Sequence, residues 1–174
     1  MASELRNLSS QTHTHYPLEK KGDLRIAIIV STYHHDITSA LCQGAKDHLL
    51  QEGLNEEKIE IFYVPGAFEL VSGASIVSNS KGFDAVICLG CVIQGETSHH
   101  DYINQSVAQS LANLSMIKGR PYIFGLLTTN NHQQALERAG GVHGNKGIEA
   151  AQAALAMIGL KQNIHKEDSK IGFK

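Results

Sequence analysis

The side chains best suited to chemistry are concentrated in four short polar segments of the sequence. These segments combine hydroxyl, imidazole, carboxylate and aromatic groups, and they are Tyr33-His34-His35-Asp36, Pro65-Gly66-Ala67-Phe68-Glu69, Gly95-Glu96-Thr97-Ser98-His99-His100-Asp101 and Thr128-Thr129-Asn130-Asn131. Each segment follows an apolar run typical of a buried strand. In an open parallel α/β sheet, ligands bind beyond the carboxyl ends of the strands. We therefore expect the four segments to meet at one edge of a sheet and to form a binding site there.

Ten histidines are many for a chain of this length. An imidazole titrates near neutrality, so His99, at the predicted start of a helix, could act as a general acid or base. The doublets His34-His35 and His99-His100 each precede an aspartate, which raises the alternative of a zinc site. Adjacent side chains point apart, however, and no spacing such as H-E-x-x-H occurs. We therefore predict no metal, and we expect His34, His35 and His100 at the surface, where replacing His100 would be silent.

Two further features of the sequence suggest an anion site. Residues 90–97 have the spacing of a phosphate-binding P-loop, but Glu96 replaces its lysine, which disfavours a nucleotide triphosphatase. Backbone N–H groups at a helix start, helped by Thr97, could still bind one phosphate or carboxylate. Arg138 could bind a phosphate through two hydrogen bonds, or it could lie in a surface salt bridge.

Phe124 lies inside a predicted strand, where an aromatic side chain usually belongs to the core.

Apolar periodicity predicts the elements that must position these residues. Strands are expected over residues 24–30, 58–64, 84–93 and 121–127, and helices over residues 37–50 after an Asp36 cap, 68–80, about 99–118, 132–139 and about 145–160. Regular alternation of strand and helix indicates parallel strands joined by right-handed crossovers. The predicted fold is a flavodoxin-like three-layer α/β/α sandwich around a four-stranded parallel sheet, to which an N-terminal edge strand could be added.

Length and composition indicate one globular domain over residues 24–160, with an N-terminal arm, 1–23, and a C-terminal tail, 161–174. The chain has 15 Lys+Arg and 17 Asp+Glu residues, so it lacks the excess of positive charge with which proteins bind nucleic acid or a membrane surface. No apolar run could span a bilayer, and residues 1–23 lack the apolar stretch of a secretory signal, so we expect a cytoplasmic protein. Within one strand, Cys88 and Cys91 would lie on opposite faces about 10 Å apart, too far for a disulfide.

Five motifs, in order, resemble those of the lumazine synthases. They are VPGAFE (64–69), LGCVIQGETSH (89–99), FGLLTT (124–129), QALERAG (134–140) and GNKG (144–147). The family has the three-layer fold inferred above. The resemblance implies condensation of 5-amino-6-(D-ribitylamino)uracil with 3,4-dihydroxy-2-butanone 4-phosphate to 6,7-dimethyl-8-ribityllumazine, with release of phosphate and water and without cofactor or metal.

The resemblance also implies a role for each matching residue. Tyr33 would stack on the pyrimidine, Ala67, Phe68 and Glu69 would hold the ribityl chain and ring edge, Cys91, Val92 and Ile93 would line the ring pocket, and Phe124 would reach the ring from a neighbouring subunit. The phosphate would lie on the backbone of Glu96 and Thr97 with Arg138 as its charge partner, and His99 would shuttle protons. The chain departs from the family at Thr32-Tyr33-His34, where Arg-Phe-Asn is common, and at Gln94, where Arg is common.

The family resemblance further implies an assembly. Lumazine synthases form pentamers, some of which pack into hollow shells of sixty subunits, and the short glycine-rich segment 140–147 resembles the shell-forming version. We therefore predict a homo-oligomer, favouring the sixty-subunit shell over the lone pentamer, with riboflavin synthase as a further partner.

Two other functions remain open on the residues alone: a non-catalytic, flavodoxin-like binder of a flavin or riboflavin precursor, and a zinc hydrolase built on the histidine doublets.

Overall fold

A four-stranded parallel sheet forms the centre of the protein, which is described by a computed structural model over residues 16–170. In chain order the elements are β1 (Ile26–Ser31), α1 (His35–Gln51), β2 (Ile59–Val64), α2 (Glu69–Ser80), β3 (Ala85–Ile93), α3 (His99–Lys118), β4 (Tyr122–Thr129), α4 (His132–Arg138), β5 (Ala139–Gly141), β6 (Gly144–Asn145) and α5 (Lys146–Lys170). The strand order is β2-β1-β3-β4. This arrangement confirms the predicted α/β sandwich.

Helices cover both faces of the sheet, so its central strands are buried on both sides. All six residues of β1 are buried. Ile26, Ile28 and Val30 pack in one cluster with residues of α1 and α5, whereas Ala27 and Ile29 pack in the other with residues of α2 and α3. Alternate side chains of a strand point to opposite faces, which explains why β1 carries no polar alternation.

The register of the sheet leaves the end of β3 projecting. Ser31, the last residue of β1, is paired with Val64 of β2, but the pairing of β1 with β3 ends at Val30 and Leu89. Beyond that point β3 pairs only with β4, as far as Ile93 and Thr129. Residues 90–93 of β3 therefore extend past the paired part of β1. Their backbone N–H and C=O groups on the side of β1 take no part in strand pairing.

The cysteines are placed as predicted. Cys88 packs with the cluster beneath α2 and α3, and Cys91 packs with the cluster beneath α1 and α5. Both are free thiols, as is Cys42 on α1.

Two predicted details of the helices are wrong, and one short hairpin was not predicted. Asp36 does not cap α1, because the helix already starts at His35 and the Asp36 carboxylate instead accepts a hydrogen bond from His132 Nε2 at 2.7 Å. The residues after α4 form the short hairpin β5–β6. Helix α5 continues ten residues past the predicted end to Lys170, because residues beyond 160 still make contacts: Lys161 Nζ binds the Gly119 carbonyl at 3.0 Å.

The arm, domain and tail boundaries stay predictions. Residues 1–15 and 171–174 lie outside the described part of the chain, and residues 16–25 contain a short 3-10 helix but no strand of the sheet. Glu19 of the predicted arm donates its backbone N–H to Gln162 Oε1 on α5 at 3.0 Å. Over residues 16–170, none of the helices combines the length and the apolar character required to cross a bilayer.

Asn145 ties the hairpin to two helices. Its Nδ2 donates to the Ala40 carbonyl in α1 at 2.9 Å and to the Ala139 carbonyl at 3.3 Å, while its Oδ1 accepts from the Gly147 N–H at 2.8 Å. At Gly147, α5 approaches α1 so closely that an added Cβ would lie 1.9 Å from the Leu41 carbonyl oxygen. A glycine is therefore required on steric grounds at this crossing.

Candidate active site

A cavity of about 480 Å³ opens at the carboxyl ends of β1, β2 and β3. It is lined by residues from three of the four polar segments, from the end of β3 and from α3: Tyr33, His34, Pro65, Gly66, Ala67, Phe68, Glu69, Cys91, Val92, Ile93, Gly95, Thr97, His99, His100 and Ile103. The predicted convergence is therefore confirmed for these segments. The fourth, after β4, lies outside the lining and has a structural role, because Asn131 caps α4 by accepting from the Gln134 N–H at 2.9 Å.

The loops after β1 and β2 are tied to each other. The Thr32 hydroxyl donates to the Pro65 carbonyl at 3.0 Å, and the Tyr33 N–H donates to the same carbonyl at 3.2 Å. Glu69 accepts a hydrogen bond from the Gly66 N–H at 3.0 Å. A Cβ at Gly66 would lie 3.0 Å from both the Tyr33 ring and the Glu69 carboxylate, so this glycine lets both side chains approach. The Tyr33 side chain is 66% exposed and leaves an aromatic surface at the cavity.

The projecting end of β3 forms a second wall. Cys91 is buried, and Val92 and Ile93 are partly buried. Because pairing with β1 has ended, backbone groups of this segment are available to hydrogen-bond the edge of a flat ligand. Such a wall suits a heteroaromatic ring that lies against Tyr33 and presents polar edge atoms to the chain.

The thiols near this wall are not nucleophiles. Burial raises the pKa of Cys88 to about 12, and burial together with the negative charge of Asp36 raises that of Cys91 to about 11. At neutral pH both are protonated, whereas the thiolate is the reactive form. Burial alone would raise the pKa of the Asp36 carboxyl, but the hydrogen bond and charge of His132 lower it overall.

We expect the native protein to resist thiol alkylation. Incubation with iodoacetamide at pH 8 should leave Cys88 and Cys91 unmodified in intact-mass and peptide-mass measurements, because less than about one thiolate in a hundred is present at either site and both side chains are enclosed. The same treatment in denaturant should label all three cysteines. Rapid labelling of native Cys91 would contradict the assignment of this residue to an inert wall.

The loop between β3 and α3 brings polar groups to the remaining side. Gly95, Thr97 and His99 line the cavity, whereas Glu96 lies between them in the loop. Ser98 precedes α3 without a side-chain cap hydrogen bond. The first N–H groups of a helix lack partners within the helix and carry its positive dipole end, so this segment can receive an anion.

Two of the three histidines expected at the surface line the cavity. His34 lies at the cavity rim, at the end of the loop after β1, and adopts a left-handed backbone conformation with φ 55°. His100 is only 18% exposed, because its ring folds back onto its own loop: Nδ1 lies 3.0 Å from the Thr97 carbonyl oxygen and Nε2 lies 3.2 Å from Asp101 Oδ1. The prediction is wrong for His100, whereas His34 is exposed at the rim of the cavity, as predicted. His35 is exposed and outside the lining.

Phe124 and Arg138 do not reach the cavity. The core assignment of Phe124 is wrong: β4 is the edge strand, and Phe124 is 42% exposed in a separate hollow of about 280 Å³. That hollow also contains the ion pair of Lys146 and Glu149, with a 2.7 Å separation, which composition and periodicity did not single out. Arg138 Nη1 donates to the Gln134 carbonyl at 3.0 Å and lies 3.9 Å from Glu137 Oε2.

The histidine doublets do not assemble a metal centre in the part of the chain that the structure describes. There, three or more His, Cys, Asp or Glu side chains nowhere come together as metal ligands would. His99 is exposed in the cavity, whereas His100 contacts its own loop.

Comparison with known proteins assigns the chain to a family. The profile of the 6,7-dimethyl-8-ribityllumazine synthase family matches residues 23–162. A 6,7-dimethyl-8-ribityllumazine synthase of Porphyromonas gingivalis is 46% identical over 162 residues, which cover 93% of this chain and 99% of that protein. The matched region contains every element of the sheet and every residue that lines the cavity. The chain therefore belongs to the 6,7-dimethyl-8-ribityllumazine synthase family.

Proposed function

We propose that the protein is a cofactor-independent, cytoplasmic transferase of riboflavin biosynthesis. It condenses 5-amino-6-(D-ribitylamino)uracil with 3,4-dihydroxy-2-butanone 4-phosphate to 6,7-dimethyl-8-ribityllumazine and releases phosphate and water. The observation that supports this proposal best is the cavity, which places an aromatic face, a projecting strand edge, a helix start and an exposed imidazole around one space. These features match a flat heterocycle on one side and a phosphate ester on the other.

The pyrimidine occupies the side of the cavity formed by Tyr33 and β3. The exposed Tyr33 ring stacks on the heterocycle, an arrangement worth about 0.5–1.5 kcal/mol beyond area burial. Backbone groups of the segment Cys91-Val92-Ile93 bind the polar ring edge. The start of α2, with Ala67, Phe68 and the Glu69 carboxylate, holds the ribityl chain, whose hydroxyl groups can donate to that carboxylate.

The phosphorylated ketone occupies the side formed by the loop before α3. Backbone N–H groups around Glu96 and Thr97 bind the phosphate at the positive end of the helix dipole. Arg138 supplies the countercharge. Because Arg138 and Phe124 lie outside the cavity of their own chain, they serve the site of a neighbouring subunit, where Phe124 contacts the heterocycle.

Proximity supplies most of the acceleration. The amine of the pyrimidine and the ketone of the second substrate are intrinsically reactive, and holding them together removes the entropic cost of their encounter. The amine adds to the carbonyl and water leaves, which gives an imine. Phosphate is then eliminated, and the ribitylamino nitrogen adds to the second carbonyl, from which a second water leaves as the ring closes. His99 transfers the protons that these steps require.

The direct test is incubation of the purified protein with the two substrates while lumazine fluorescence is followed. An enzyme of this class produces the fluorescent product, and a chelator does not change its rate. Substrate binding without product would indicate the non-catalytic flavin or precursor binder, and inhibition by a chelator would indicate a metalloenzyme.

Replacing His99 with alanine should lower turnover by roughly one to two orders of magnitude without abolishing it, because proton transfer contributes less than proximity. Steady-state kinetics at saturating substrates measure the effect. His35→Ala is the matched control, since it removes an exposed imidazole outside the cavity and should retain wild-type turnover. A complete loss of activity in a folded His99→Ala protein would contradict the dominance of proximity.

We also propose that the chain assembles into pentamers and that twelve pentamers form a shell, which riboflavin synthase joins as a partner. The positions of Phe124 and Arg138 outside the cavity of their own chain, and the short connection between β5 and β6, support this assembly. Light scattering should report a particle near a megadalton from chains of 18.9 kDa. A mass of about 95 kDa would indicate a lone pentamer, and a fully active monomer would contradict a site shared between subunits.

A further inference from the structure

We infer that His100 is a positioning residue for the anion-binding loop, residues 95–98. Its ring lines the cavity beside Thr97 and His99. Nδ1 lies 3.0 Å from the Thr97 carbonyl oxygen, and the side chain is only 18% exposed. This inference rests on the proposed function, because it assigns His100 a role in binding the phosphorylated substrate.

The contact with Thr97 fixes the orientation of a peptide plane. The peptide unit that contains the Thr97 carbonyl also contains the Ser98 N–H, and the two groups are held in one plane by the partial double bond between them. A hydrogen bond that holds the carbonyl therefore also sets the direction of the N–H. Ser98 itself makes no side-chain cap hydrogen bond at the start of α3, so His100 provides a restraint that the usual capping residue does not.

A second contact lies beside the same ring. Nε2 lies 3.2 Å from Asp101 Oδ1, but a neutral imidazole donates from only one of its two nitrogens, so the hydrogen bond to Thr97 carries the positioning role. The carbonyl and the carboxylate are both hydrogen-bond acceptors, and Nδ1 must carry a hydrogen to serve Thr97. The neighbouring His99, by contrast, is exposed and is the residue assigned to proton transfer. The two adjacent histidines therefore have different roles: His99 transfers protons, and His100 orients the loop.

Two substitutions of His100 by amide residues distinguish the loss of the hydrogen bond to Thr97 from a mere change in side-chain volume. In His100→Asn the side-chain amide nitrogen takes the place of Nδ1 and can still donate to Thr97. In His100→Gln the amide nitrogen takes the place of Nε2 and leaves the Thr97 carbonyl without its partner. We expect H100Q to raise the KM for the phosphorylated ketone about five- to tenfold, the range for loss of one hydrogen bond. The KM for the pyrimidine should stay within about twofold, and H100N should restore most of the lost affinity.

The experiment measures both KM values and kcat for wild type, H100N, H100Q and the surface control H35Q, and it adds a titration of each protein with inorganic phosphate followed by ³¹P NMR. A selective KM increase in H100Q, with weaker phosphate binding and recovery in H100N, supports the inference. Equal KM increases for both substrates, unchanged kinetics in H100Q, or equal losses in H100N and H100Q would each overturn it. If wild type makes no lumazine, the proposed function fails, and the phosphate titration alone decides whether His100 orients an anion-binding loop.

Discussion

Replacing Arg138 with alanine should raise the KM for the phosphorylated four-carbon substrate by about two orders of magnitude, because removing one partner of an enclosed charge pair costs roughly 2–5 kcal/mol. The guanidinium has five N–H donors, and its hydrogen bond to the Gln134 carbonyl uses only part of them. The remaining donors can bind a phosphate in the bidentate manner typical of arginine. The KM for the pyrimidine should change by less than about twofold, since the guanidinium meets only the phosphate.

Titrating the two ligands separately checks this selectivity. Arg138→Lys should give an intermediate loss, because lysine keeps the charge but not the planar pair of donors. Arg25→Ala serves as a control, since Arg25 forms its ion pair with Glu60 at the amino end of the sheet, and it should leave both KM values unchanged. An equal loss for both ligands in Arg138→Ala would instead assign Arg138 to a structural contact with Glu137.

Gly147→Ala should destabilise the protein by about 3 kcal/mol or prevent its folding. The added methyl group would lie 1.9 Å from the Leu41 carbonyl oxygen and 2.7 Å from its carbon, so backbone atoms of α1 and α5 would have to separate. Overpacking of well-packed interiors typically costs about 1–3 kcal/mol, and here the obstacle is backbone, which cannot rotate away. The free energy of unfolding in urea measures the effect.

Gly82→Ala is the matched control. A Cβ at Gly82 would meet nothing within 4 Å, so its free energy of unfolding should remain within about 0.5 kcal/mol of wild type. Wild-type stability in Gly147→Ala would show that the two helices can move apart at little cost, which would contradict the close crossing described above.

The sequence allowed the central layer and most of the cavity to be predicted. The uninterrupted apolar character of β1 matches its complete burial, and helix α3 begins and ends at the predicted residues. The apolar pattern is informative here because helices cover both faces of a parallel sheet. The convergence of three loops followed from the parallel direction of the strands, which places all their carboxyl ends at one edge.

The errors concern properties that depend on neighbours distant in sequence. Phe124 has the local pattern of a core residue, but strand order decides exposure, and β4 lies at the edge. Asp36 has a cap-forming side chain, but His132 from another helix engages it. His100 resembles a surface histidine until its ring is seen to contact the backbone three residues earlier. Spacing alone predicts neither the strand order nor these two contacts, because the contacts depend on the direction of a side chain.

The link from Asn145 to Ala40 has a consequence for the order of events during synthesis. The two residues are 105 positions apart, and helix α5, which covers α1 and one face of the sheet, follows Asn145. At about 5–20 residues per second, a ribosome needs roughly 5–20 s to make the intervening chain. During that interval the apolar surface shared by α1 and β1 lacks its cover. The domain therefore completes its core only after the last helix has emerged, and a chain truncated before α5 would present that surface to chaperones.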